Sequence, residues 1–285
     1  MIDFKLEIYW WTVSGIFAII YAIAGAVSKV TFSCPPDLDP KNNNGKKTKD
    51  YYDYYGNYTS ILHAIFSVII CGYVLVLEGV KFGEPTSTRE YFVISHSLGY
   101  FIYDTIQSEY HGYNQLAMTF HHIGALLVFG FGLSLQHSGN ECLLIILVGE
   151  LSNPFNLYRE ILKWKKQENT DIYHYSSVIF AILFILGRFV IGIFWIIHFY
   201  PGKSHLGIKI IFALLWYVSW HWLFIIINLA TKEFKQRNSS TGSKFWEAAY
   251  STFFKLRKSK AFISSYYIVT AIFSFGGLYI FHPSA

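Results

Sequence analysis

Long uncharged runs of apolar residues recur along the chain and define its pattern. Five of these runs approach the length of a bilayer crossing, which takes about 20 residues of α-helix. They cover residues 9–27, 58–77, 115–135, 210–230 and 261–281. Three further runs are interrupted by charge or proline, at residues 91–107, 142–158 and 175–200. The pattern predicts an all-α fold, a multi-pass transmembrane helical bundle with about eight spans.

Composition agrees with a membrane location. Hydrophobic residues make up 53% of the chain and charged residues 14%, whereas about a quarter of the residues in a soluble domain are charged. The first run has no basic leader before it and no small-residue cleavage site after it, so we expect a retained first span. Cys34, Cys71 and Cys142 have no paired spacing, which predicts neither a disulfide framework nor a zinc motif.

The basic residues are distributed unevenly between the two sides of such a bundle. Of the 23 Lys and Arg residues, 17 fall in alternate connections, near residues 28–57, 159–174 and 231–260, and the connection near 108–114 on the same side has none. The positive-inside rule makes these connections cytoplasmic and places both termini on the lumenal or outer side. Asn57 and Asn238, which match the glycosylation pattern, would then carry no glycan.

Two polar segments rich in Asn and Lys separate the apolar runs. They cover residues 33–55 and 232–244. Their composition predicts mobile connections and no folded domain.

The third span carries a polar face. His96, Tyr100, Tyr103, Asp104 and Gln107 follow at offsets of 0, 4, 7, 8 and 11, which collects them on one side of a helix. Polar groups facing hydrocarbon are costly, so this face should point into the bundle or a wet cavity. Spacing alone favours a hydrogen-bonded seam between helices over a catalytic stripe.

Two adjacent histidines, His121 and His122, lie near the cytoplasmic end of the fourth span. Neighbouring helical residues point about 100° apart, so one imidazole can face a cavity while the other meets another helix. Either could act as a base or nucleophile, with Asp104 fixing its tautomer. The alternative, favoured by spacing alone, is a pair of hydrogen-bonded interfacial histidines.

The fifth span contains Glu150 at mid-depth, with Asn153 one turn later on the same face. Pro154 removes a backbone hydrogen bond and opens the helix there. Arg188, in the sixth span, is the basic residue available to pair with Glu150 inside the membrane. A structural Glu150–Arg188 pair and a direct catalytic role remain equal alternatives.

Tyr217 and His221 share one face of the seventh span, among several tryptophans. They could line a lipid-sized cavity, but ordinary aromatic packing explains the pattern better. The chain has no phosphate loop, hydrolase elbow, zincin motif or dinucleotide fingerprint, and it has too few clustered histidines for a di-iron centre. We expect no metal, no resident cofactor and no nucleic-acid partner.

Three segments resemble the motifs of the TLC domain, which ceramide synthases and translocon-associated membrane proteins share. They are GYFIYD ending at Asp104, HHIGALLVF beginning at His121, and GELSNPF at residues 149–155. The resemblance implies a six-span core at residues 55–232. Residues 1–54 would add a first span and a polar loop, and residues 233–285 a basic loop and a last span.

The resemblance departs from the catalytic branch of the family. Ceramide synthases continue from their histidine pair into an acidic motif, where this chain has SLQHSGNECLLIILVGE. The segment from Glu150 to Phe155 is instead similar to the TLC domain-containing subfamilies. These are associated with membrane lipid composition and sphingolipid balance, and the likeness implies the endoplasmic reticulum or a related endomembrane.

Three functions follow as hypotheses. The first is lipid homeostasis, with a lipid or acyl chain bound in the bundle near His96, Tyr100, Tyr103, Glu150, Asn153, Arg188, Tyr217 and His221. The second is an acyltransferase resembling ceramide synthase, with His121, His122 and Asp104 as catalytic residues and acyl-CoA as a co-substrate. The third is a non-enzymatic sorting receptor or chaperone. A transporter ranks last because the chain shows no inverted repeat.

Overall fold

A computed structural model describes residues 4–199, 203–241 and 243–265, and within them the chain is helical without β-strands. The helices are α1 (Phe4–Thr31), α2 (Lys49–Glu78), α3 (Thr88–His111), α4 (Leu116–Leu135), α5 (Gly139–Glu150), α6 (Asn153–Trp164), α7 (Asp171–Ile185), α8 (Gly192–Phe199), α9 (Leu206–Thr241) and α10 (Lys244–Lys258). A π-helical segment, Leu186–Ile191, joins α7 to α8. The predicted all-α fold is confirmed.

Among the described residues, five helical segments are long and apolar enough to cross a membrane. They are α1, α2, α4, the continuous helix Asp171–Phe194, and Leu206–Lys235 of α9. The third predicted span forms α3, which is too polar to join this group, and the fifth is divided between α5 and α6. The structure therefore confirms a multi-pass helical protein with five candidate spans among the described residues, and the predicted count of eight is not confirmed. Most of the last predicted span, 261–281, lies outside the described residues.

The chain forms two compact units, residues 1–212 and 213–285. Within the first unit, α1 packs closely on α3 because Gly99 has no side chain. A Cβ atom there would overlap the Ser14 carbonyl oxygen and Phe17 on α1. This close contact brings the polar face of α3 toward the helices on its other sides.

One end of the first unit is closed by an aromatic cluster formed by Leu38, Tyr51, Tyr54, Tyr55 and Ile161. The Tyr54 hydroxyl donates to the Ser33 carbonyl at 3.0 Å, and α2 already begins at Lys49. The prediction that residues 33–55 form a mobile connection is therefore wrong. The tyrosines supply apolar surface that a count of Asn and Lys overlooks, and they pack this segment against α6.

The opposite end of the first unit is tied by buried polar side chains. Glu141 accepts hydrogen bonds from the Gly83 backbone N–H at 2.7 Å and from the Ser204 hydroxyl. Asn140 accepts from the Lys81 backbone N–H at 3.2 Å and donates to Glu90. The α5 N-terminus thus joins the connections that precede α3 and α9.

Contacts between connections agree with the predicted division into two sides. At one end the Tyr52 ring stacks on His111 with 3.3 Å between centroids, and Lys166 forms an ion pair with Asp37. At the other end Pro85 bridges to His137. Connections predicted for the same side therefore meet, while the choice of the cytoplasmic side stays a prediction.

In the second unit, α9 continues as a helix to Thr241, and α10 follows after a short break. The prediction of a mobile segment at 232–244 is wrong for most of its length. Phe234 of α9 is fully buried and packs against Trp246 and Phe253 of α10. This apolar contact holds the end of α9 in a helical conformation although its composition is polar.

Candidate functional site

A group of buried polar side chains, here called the inner polar group, lies among α1, α2 and α3. The Tyr21 hydroxyl hydrogen-bonds Nε2 of His96 at 2.6 Å. His63 stacks on the Tyr100 ring with centroids 3.8 Å apart, and the Ser67 hydroxyl lies 3.0 Å from its Nε2. The three helices therefore turn their polar positions toward each other and away from hydrocarbon, as the face predicted on α3 requires.

Glu150 extends the inner polar group to α5 and α6. One of its carboxylate oxygens lies 3.9 Å from Nδ1 of His63 and accepts a 2.8 Å hydrogen bond from Asn153. Glu150 ends α5, and α6 begins at Asn153 with Pro154 in its first turn. The break predicted from Pro154 is present, and it allows Asn153 to reach back to the carboxylate.

Arg188 reaches the same break from the sixth predicted span. It lies in the π-helical segment, an irregularity that recurs at functional sites in helices. Its Nη2 donates to the Gly149 carbonyl at 2.9 Å, next to Glu150, and the two opposite charges interact. The structure thus brings together the residues of the predicted Glu150–Arg188 pair, while a catalytic role for them stays a prediction.

A second polar contact, here called the His122 dyad, joins α3 to α4. Nε2 of His122 lies 3.3 Å from the Asp104 carboxylate, and both side chains are buried. Tyr100 connects this dyad to the inner polar group, because its hydroxyl hydrogen-bonds Asp104 and lies 2.8 Å from Ser60. The two polar sites are therefore parts of one buried network.

The two nitrogens of the His122 ring face different neighbours, Asp104 and the α3–α4 turn. The amide nitrogen of Asn114 donates to Ser108 at 2.8 Å and to Glu109 at 3.1 Å, and it lies 3.5 Å from Nδ1 of His122. Both Asn114 amide hydrogens are thus used by Ser108 and Glu109, and the Asp104 carboxylate, 3.3 Å from Nε2, is the acceptor that favours the ring proton on Nε2 and leaves the lone pair on Nδ1. Nδ1 is thus the basic nitrogen, and it faces the turn rather than the bundle centre.

The remaining predicted site residues occupy different surroundings. His121 is half-buried, 6.1 Å from the His122 ring, and it interacts electrostatically with Arg188. The two histidines therefore face different neighbours, as their spacing predicts. Tyr103 is half-buried and stacks on Tyr21 of α1, so it lies beside the inner polar group.

Tyr217 and His221 lie on α9 in the second unit. Tyr217 is half-buried and His221 exposed. They are not among the residues that the first unit brings together, and their assignment to a lipid-binding site stays a prediction.

His63 and Tyr21 are the residues of this site that the sequence reasoning missed. Both lie within apolar runs that were treated as uniform spans. The signal available was a pair of polar residues one turn apart, His63 and Ser67, inside an otherwise apolar helix. Over the part of the chain that the structure describes, no group of three or more His, Cys, Asp or Glu side chains is arranged to hold a metal ion.

A comparison with protein-family models finds the TLC domain over residues 57–231, more than half of the chain. No match to this chain was found among curated proteins or solved structures. The matched region contains Glu150, Asn153, Arg188 and the His122 dyad, together with every residue of the inner polar group except Tyr21. The chain therefore belongs to the TLC-domain family of membrane proteins.

Proposed function

We propose that this protein binds a lipid or acyl chain within its helical bundle and acts in membrane lipid homeostasis, in the endoplasmic reticulum or a related endomembrane. The observation that carries the proposal is the buried network from Tyr21 through His63 to Glu150 and Asn153. Family membership supports it, since the resemblance to TLC domain-containing subfamilies implies sphingolipid or phospholipid balance.

Polar groups inside a membrane cost free energy because no water is available to hydrogen-bond them. Unpaired polar groups there cost several kcal/mol each, so they are kept where they are paired or where they perform a function. Nδ1 of His63 is buried without a hydrogen-bond partner, 3.9 Å from Glu150. A lipid with a hydroxyl or amide near its headgroup offers the donors and acceptors that such groups require, while its chains suit the apolar helices around them.

Lipid retention in the purified protein tests the proposal. We expect extraction from mildly solubilised protein to yield one lipid class enriched over the bulk membrane. Tyr100→Phe, which removes only a hydroxyl that contacts Ser60 and Asp104, should reduce that enrichment. Tyr73→Phe is the matched control because Tyr73 is 61% exposed. Lipid composition equal to the bulk membrane, together with an unchanged lipidome after deletion, would contradict the proposal.

The His122 dyad favours a second function, acyl-CoA-dependent N-acylation. In this reaction Nδ1 of His122 takes a proton from the amine of a long-chain base as that nitrogen attacks the thioester carbonyl. The new C–N bond forms, the C–S bond breaks, and the imidazolium returns the proton to the leaving thiolate. Asp104 stabilises the imidazolium through Nε2, and Nδ1 faces the turn predicted to be cytoplasmic, where CoA is available.

Transfer of a labelled acyl group to a long-chain base tests the second function. We expect His122→Ala to abolish transfer, and Asp104→Asn to reduce it by about 10²-fold or more. His121→Ala distinguishes the roles of the two histidines in transfer, because His121 interacts with Arg188 instead of Asp104. Unchanged turnover in both histidine variants would exclude this reaction.

A further inference from the structure

α9 extends beyond the apolar segment that could cross a membrane. That segment ends at Lys235, and the helix continues to Thr241. The exposed side chains of Lys232 and Lys235 mark where charge returns after the uncharged run at residues 210–230 of α9. Phe234, between them, therefore lies at the depth where the helix leaves the hydrocarbon.

α10 is held at that depth. The Trp246 and Phe253 rings lie 5.9 Å and 5.2 Å from the Phe234 ring, so both ends of α10 pack at the same level of α9. After α10 the chain returns along α9, where Phe262 stacks on Phe224. α10 is thus a short helix that follows the apolar segment of α9 and precedes residues 260–265, which lie beside α9.

Three lysines of α10 lie on the side away from α9 together with Glu247, whereas Arg257 falls on the side of Trp246 and Phe253. Lys244, Lys255 and Lys258 share the face opposite Trp246 and Phe253, and all three lysines are exposed. Phe245, on the flank between the two faces, is 46% exposed. A basic face bordered by apolar side chains is typical of helices that lie in the headgroup region.

We propose that α10 binds anionic phospholipid headgroups at the membrane face where α9 ends. The lysines of α10 are opposite in charge to these headgroups, and the contacts with Phe234 hold α10 at the end of the apolar segment of α9. Residues 231–260 contain eight basic and two acidic side chains, and anionic lipids attract such juxtamembrane clusters. The site is separate from the inner polar group and from the His122 dyad, so it does not depend on the lipid or the reaction at either place.

Hydrogen exchange in the full-length chain tests this proposal. The protein is placed in nanodiscs of phosphatidylcholine alone or of phosphatidylcholine with phosphatidylserine. We expect amide exchange in residues 244–258 to slow several-fold when phosphatidylserine is present, and high salt to reverse the effect. Equal exchange in both nanodiscs would overturn the proposal.

Charge variants distinguish headgroup binding by α10 from a general effect of the protein's positive charge. Replacing Lys244, Lys255 and Lys258 with Gln should abolish the response to phosphatidylserine. Replacing Lys41, Lys46 and Lys49 with Gln removes the same charge from exposed positions elsewhere, and this control should keep the response. A response that survives the first triple substitution, or disappears equally in the control, would show that α10 does not bind these headgroups.

Discussion

Glu150 lies where α5, α6, α2 and the π-helical segment meet, and its carboxylate interacts with side chains from three of them. Asn153 donates to it directly, His63 lies within 4 Å, and Arg188 balances its charge. Removing one partner from such a buried group leaves the others unpaired, which is more costly than the loss of a single hydrogen bond.

We therefore expect Glu150→Ala to destabilise the protein by about 1–3 kcal/mol or more, because Asn153 loses its acceptor and Arg188 loses the opposite charge beside it. Glu150→Gln should cost less, since its amide oxygen can still accept from Asn153. Thermal denaturation of the purified protein in detergent measures both variants. Glu168→Ala, at an exposed position, is the control and should leave the transition unchanged. Equal transitions for Glu150→Ala and this control would show that the carboxylate is not a structural acceptor.

The sequence predicts which site residues share one face of a helix, but it does not predict which helices meet at the site. The face with His96, Tyr100 and Asp104 follows from helical periodicity, and the structure buries all three. The pairing of Asp104 with His122 was proposed from residue type and depth and is present at 3.3 Å. His63 could not be assigned, because its partners come from three other helices and periodicity carries no information about contacts between helices.

At the scale of the helix, close contact between α1 and α3 depends on one glycine, Gly99, which has no side chain. Gly99 faces the α1 backbone at Ser14, whereas Gly72 on α2 has no atom near the place that a Cβ would occupy. The two glycines therefore differ in surroundings although both lie in the interior of a helix.

We predict that Gly99→Ala forces α1 away from α3 and lowers stability, by about 1–3 kcal/mol as for other overpacked interiors. Gly72→Ala should be neutral or stabilising by up to about 1 kcal/mol, because alanine favours helix and meets nothing. Thermal unfolding of both variants in the same detergent gives the comparison. A Gly99→Ala protein as stable as Gly72→Ala would show that the α1–α3 contact is looser than described.

The positions of the helices were predicted better than their ends and irregularities. Apolar runs place α1, α2 and α4, since length and hydropathy are properties of one segment. α2 begins nine residues before its predicted run because Thr48 caps it and Tyr51 packs against other elements. The π-helical segment at Arg188 has no signature in residue type, because it depends on packing around the arginine.

For the whole molecule, the side on which each connection lies decides whether CoA or another soluble partner can reach the His122 dyad. The structure groups the connections into two ends, and the basic bias predicts which end is cytoplasmic. Asn57 is buried at the end predicted to be cytoplasmic, so no glycan is expected there.

We predict that a cysteine introduced as Lys46→Cys reacts with an impermeant thiol reagent in sealed microsomes whose cytoplasmic face is outward. Glu84→Cys, exposed at the opposite end, should react only after the membrane is permeabilised. Both variants are made with Cys34 replaced by Ser, because Cys34 is partly accessible. The reverse labelling pattern would invert the orientation and place the turn at Asn114 on the lumenal side.

The hydrogen bonds of Glu141 and Asn140 limit the places at which a lipid could enter the helical bundle. They fasten the connections that precede α3 and α9 to the start of α5, so the helices at that end cannot separate without breaking several buried hydrogen bonds at once. The other end of the first unit is held by the stacking of Tyr52 on His111, by the exposed Lys166–Asp37 ion pair and by the Tyr54 hydrogen bond to Ser33, and the first two contacts are the less costly to break. We therefore expect the helices to separate at the end beside the His122 dyad and to stay together at the end held by Glu141.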